Sequence, residues 1–144
     1  MTGIPLWLTV HTIVTGALAG LIWVVQVVIY PSFSLVRSEA FRDYHAAHCR
    51  RITRVVAPLM LAEVATAGWL LWLGFVDPIF VGSLVLLAIN WLSTWLLQVP
   101  LHERLSLGFD TSAHQSLMRS NRWRTAAWTL RAIALAAILK QPPA

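Results

Sequence analysis

The chain has 144 residues, of which 58% are hydrophobic and 12% charged, and a formal net charge of +5. That is one domain's worth of protein, far poorer in charge than a soluble domain. Its arginines flank apolar runs and form no solvated basic face, which excludes nucleic-acid binding, and the one cysteine, Cys49, excludes an internal disulfide and a CxxC-type site.

The first apolar run, about residues 4–30, contains no charge and is long enough to cross a hydrocarbon core of about 30 Å. It does not read as a cleavable signal, because it lacks a basic start and a small-residue cleavage site. Pro31 is expected to end it. A polar stretch follows, in which Ser38 and Glu39 suit a helix start. Phe41, His45, His48 and Ile52 then recur at helical spacing. That helix should run straight into a second span at about 52–73, kinked at Pro58. Residues 74–78 predict a tight turn. A third span covers about 79–99, with Pro100 expected to stop it. A second polar connection follows over residues 101–121, with a helix beginning after Asp110. The fourth span, about 123–139, leads to Lys140 and a Gln-Pro-Pro-Ala tail.

The pattern predicts an all-α integral membrane protein, a four-helix bundle forming a single domain over residues 1–144. Eight tryptophans suit a chain with two membrane interfaces. Arg37, Arg42, Arg50, Arg51 and Arg54 lie in the first connection, and Arg104, Arg119, Arg122 and Arg124 in or beside the third. The second connection has only Asp77. The positive-inside rule then places both termini on the non-cytoplasmic side of the cell (inner) membrane. The same bias argues against a dual-topology transporter.

Two polar centres stand out. Glu63 and Arg131 lie at depths of about 16 Å and about 12 Å from the cytoplasmic side by helical rise, so they are expected within reach of each other. Such a pair reads as a structural brace or as a proton or substrate site, with snorkelling of Arg131 as a third option. His11 lies in the first span and Asn90 in the third, where Thr94 and Gln98 continue a polar stripe. At the cytoplasmic mouth, His45 and His48 share a helix face, and His102 follows Pro100 at the same level. His114 leads into the fourth span. These histidines read as interfacial side chains or as part of a transition-metal or haem site. About 22 Å of helical rise separates His48 from Glu63, so the two centres are distinct unless a cavity joins them.

The segments Gln98-Val-Pro-Leu-His-Glu-Arg-Leu, Gly-Phe-Asp and Asn121-Arg-Trp-Arg-Thr resemble the small four-span membrane proteins grouped with the anthrone oxygenases, over about the last third of the chain. The resemblance implies oxygenation of an apolar, often aromatic, substrate, with His102, Asn121 and Arg124 as the matching residues. Three functions are in play. The first is a membrane-embedded oxidoreductase, metal- or haem-dependent, acting on a lipophilic small molecule. The second is a proton-coupled transporter using Glu63. The third is an assembly subunit among membrane lipids, for which Gly16, Ala17, Ala19 and Gly20 suit close packing against a partner helix or a second copy in a homo-oligomer. For the first, the candidate residues are Glu63, Arg131, Arg124 and Asn121 for catalysis. His45, His48 and His102 are the candidate metal ligands, and His11, Asn90 and Gln98 the candidate substrate contacts.

Overall fold

A computed structural model describes residues 3–140; the Gln-Pro-Pro-Ala tail lies outside them. The described residues are all-helical and form four rods: α1 (Ile4–Leu35), α2 (Ser38–Trp72), α3 (Pro78–Ser106) and α4 (Thr111–Leu139). The first three are long and apolar enough to cross a membrane. The fourth, which carries Arg119, Arg122, Arg124 and Arg131, falls outside that group. Helix α1 packs along α2 and α4, and α4 packs along α3. Helices α2 and α3 meet chiefly where the last turns of α3 reach α2.

The distribution of side chains is inverted relative to a soluble domain. Leu6, Ile13, Val27, Val85, Leu92 and Ile133 are exposed, whereas His11, Glu63, Asn90 and Arg131 are fully buried. One apolar cluster gathers Leu18, Ile22, Phe33, Phe41, Leu105 and Leu117; a second gathers Leu8, Leu70, Phe80 and Leu135.

Two sequence expectations need correction. Neither Pro31 nor Pro100 ends its helix. Each proline lacks the N–H that would bond four residues back, and its ring would clash with that carbonyl. A π turn just before each proline removes the conflict by adding a residue to the turn. These turns are Val25–Ile29 and Thr94–Gln98. The Tyr30 N–H accordingly donates to the carbonyl of Val25, and that of Val99 to Thr94. The polar connections therefore shrink to residues 36–37 and 107–110. Helix α2 runs unbroken through Pro58.

The other turns follow from local chemistry as expected. Gly74 adopts φ +80°, and the N–H groups of Gly74 and Phe75 bond back to Leu71 and Leu70, closing α2 in a Schellman arrangement. Asp77 caps α3 by accepting from the N–H groups of Ile79 and Phe80. Asp110 caps α4 by accepting from Ala113 N–H and also pairs with Arg104 at 2.6 Å. The Ala113 bond, and after it the Arg104 bond, hold the Asp110 carboxyl below its ordinary range.

Two outcomes follow. No side chain crowds Gly74, so Gly74→Ala tests backbone conformation alone; it should destabilise the fold by about 1 kcal/mol, measured by denaturant titration. A depressed Asp110 contributes stability that is present above the ordinary aspartate pKa and lost as pH falls through the folded value. Asp110→Ala should therefore lower stability at neutral pH and flatten its fall in acid, followed by thermal melts across pH.

Candidate functional site

Glu63 and Arg131 meet, with Arg131 Nε donating to Glu63 Oε1 at 3.2 Å and both side chains fully buried. Thr15 donates to the same oxygen, and the Trp128 indole N–H donates to the other at 3.2 Å. Arg131 also donates to the Ser83 carbonyl at 2.6 Å and faces His11 Nε2 at 3.2 Å. A guanidinium only donates, so His11 Nε2 accepts and the proton sits on Nδ1. Nδ1 then donates to Thr66 Oγ1 at 2.7 Å, and Thr66 donates to the Ala62 carbonyl. Residues from all four helices join this network, and each charge in it is compensated.

Asn90 does not join it, against the sequence expectation. It is buried, but neither end of its amide has a partner among the described residues, and it does not line the cavity described next. Its backbone carbonyl accepts from Ser93 and Thr94. The polar stripe therefore divides, with Asn90 apart and Thr94 and Gln98 on the cavity wall.

The cavity has a volume of about 630 Å³ and draws walls from all four helices. Leu18, Ile22, Met60 and Trp91 make much of its apolar lining, and Arg124 and Trp128 contribute from α4. His45, Cys49 and His102 line it together. Trp128 separates cavity from brace, since it lines the one and donates to Glu63 in the other.

In that lining, His45 Nε2 and His102 Nδ1 lie 3.0 Å apart, and Cys49 Sγ lies 3.6 Å from the first and 3.7 Å from the second. Bonds of about 2.0 Å to nitrogen and about 2.3 Å to sulfur in a tetrahedron separate ligand atoms by roughly 3.3–3.6 Å, so these three atoms fit the shell of one ion. The remaining nitrogen of His102, Nε2, meets the Tyr30 hydroxyl at 3.1 Å, and that hydroxyl also donates to Gln98 Oε1. Tyr30 thus holds the His102 ring with Nδ1 directed at the group, the kind of support that ligating imidazoles require. Gln98 continues the chain of bonds by donating to Ser120.

His48 is not in the tight group, which corrects the ligand set. Its ring sits edge-on to Phe33 at 5.1 Å and 6.1 Å from the ring of His102. Cys49 takes the place, because a residue four positions beyond His45 lies over it on the helix face. Viewing the lone cysteine only as half of a disulfide or a CxxC hides this pairing. His114 is structural, bonding the Tyr30 carbonyl at 2.7 Å. Arg124 and Asn121 do meet: Arg124 donates to Asn121 Oδ1 and to Thr94 Oγ1, each at 3.1 Å, and lies over the Trp128 ring. Asn121 also donates to Gln26, which sits in the first π turn.

No protein-family model matches the chain, and no curated protein or solved structure is significantly similar to it.

The brace makes a definite forecast. Replacing Glu63 or Arg131 alone by an apolar residue should cost about 3–5 kcal/mol, because the partner is left charged and buried, whereas replacing both should cost less. A double-mutant cycle in detergent measures the difference, and zero coupling would contradict it.

Proposed function

We propose that this chain is a membrane-embedded, metal-dependent oxidoreductase acting on a lipophilic small molecule. One observation carries the reading: three ligand-type atoms from two helices converge in the wall of a largely apolar cavity. The four helices would cross the cell membrane with this triad on the cytoplasmic side and both termini opposite, as the arginine bias implies. Helix α4 would join the other three because Arg131, the charge deep within it, and Arg124, near its cytoplasmic end, are both buried within the fold.

The donor set of two imidazoles and a thiolate suits zinc, copper or iron. The two nitrogens sit side by side, which favours a single ion over a haem held between them. When bound, such an ion supplies redox chemistry or Lewis acidity next to the cavity. The chain's own contribution is to hold the ligands, to fix the His102 tautomer through Tyr30, and to wall the substrate from water with apolar side chains. The resemblance to anthrone oxygenases points to the same class of chemistry. A carrier built on Glu63 has less support, because that carboxylate already serves Arg131, Thr15 and Trp128.

Metal analysis of protein purified without chelator tests the reading. Wild type should retain about one equivalent of a transition metal per chain. Cys49→Ser and His102→Ala should each abolish retention while the helical spectrum stays unchanged. Tyr30→Phe should weaken affinity by about tenfold or more. Protein that keeps no metal, or triad variants that keep it unchanged, would overturn the proposal.

A further inference from the structure

A guanidinium inside a membrane protein is stable only when something offsets its charge. Two arginines are buried among the described residues, and they are treated differently. Arg131 has Glu63. Arg124, 5% exposed, has no carboxylate: the salt bridges among the described residues are Glu63–Arg131 and Arg104–Asp110. Its amino groups reach only the neutral oxygens of Asn121 and Thr94, and its Nε has no partner. The face of Trp128, 5.0 Å away, adds a weak cation–π contact.

Arg124 lines the cavity. The acidic residue on those walls, Glu103, is exposed and forms no salt bridge. The indole N–H of Trp91, another wall residue, also lacks a partner. Among the walls of a largely apolar chamber there is therefore a buried arginine with no carboxylate partner and an indole N–H with no acceptor.

We propose that the cavity binds a single-tailed lipophilic anion, a carboxylate or acidic hydroxyl on one apolar body, with its oxyanion on Arg124. The apolar body lies against Leu18, Met60 and Trp91, and the head lies toward the His45–Cys49–His102 group. This rests on the reading of the cavity as a site for a lipophilic molecule and specifies that molecule's charge. The cavity volume falls in the range that encloses one compact ligand. Arg124 is buried among the helices, so a two-chain phospholipid would have to bring its headgroup between them to reach it. A free amphiphile enters whole.

The test uses full-length protein in phosphatidylcholine nanodiscs after chelator treatment, so that it is independent of metal. Fluorescence of the tryptophans on the cavity wall is titrated with decanoate and with decanol. Decanoate should bind more tightly by about tenfold or more, the worth of a charge-assisted hydrogen bond. Arg124→Gln should erase that preference, and Arg124→Lys should keep part of it. Equal binding of decanoate and decanol to wild type would overturn the inference while leaving the cavity reading intact, and this comparison holds even if a variant fails to fold. Binding of neither probe would remove both. A preference that survives in Arg124→Gln would place the anion elsewhere. Displacement of decanoate by phosphatidylglycerol added to the discs would assign the charge to a resident lipid and overturn the single-tailed proposal.

Discussion

The Glu63–Arg131 ion pair is the constraint around which the other parts are arranged. Two charges at full burial are tolerable only in mutual contact with their remaining donors and acceptors satisfied. Meeting that demand recruits Thr15 and His11 from α1, Thr66 from α2, Ser83 from α3 and Trp128 from α4. Each contact fixes both the depth and the rotation of its helix. The same demand leaves His11 neutral, with its proton directed at Thr66, so the imidazole works as a strut.

Trp128 transmits this order to the cavity. Its indole N–H is bound by Glu63, which fixes the ring, and the ring in turn lies under Arg124. The two buried arginines of α4 thus sit either side of one aromatic residue under opposite conditions. The inner one is neutralised and immobile. The outer one has no carboxylate partner and lines a largely apolar space. Beyond it, Tyr30 and Gln98 connect the chamber to the His102 ring. The brace, the chamber and the triad form one continuous hydrogen-bonded and packed column, although each has a different electrostatic character.

Much of this column was legible from residue spacing. The helical rods, the meeting of Glu63 with Arg131 and the approach of His45 to His102 follow from periodicity, depth and the antiparallel return of short-looped helices. The caps at Asp77 and Asp110 follow from residue type. The parts that were not legible share one cause: they depend on rotation about a helix axis. Whether a proline stops a helix or is absorbed depends on whether the preceding turn can widen, and neither Pro31 nor Pro100 announces that it can. Which of His48 and Cys49 joins His45 is a matter of tens of degrees around α2. Asn90 falls outside the cavity while Thr94, one turn on, lines it. Pattern gives a face to within about a quarter-turn, and a ligand set needs finer resolution than that.

The paired π turns carry a consequence for how this molecule can vary. Each adds a residue to one turn, so everything beyond it is rotated by about 100° relative to an uninterrupted α-helix. Tyr30 lies beyond the first and His102 beyond the second. A version of this protein rebuilt on straight, ideal helices would keep His45, Cys49 and His102 and still lose their convergence, because His102 would face away from His45 and Tyr30 away from both. The residue count between each wide turn and its proline therefore matters as much as the identity of the ligands. A single-codon deletion within a wide turn removes its extra residue and leaves the segment beyond it in phase, whereas one between the second wide turn and His102 rotates that ring by about 100°.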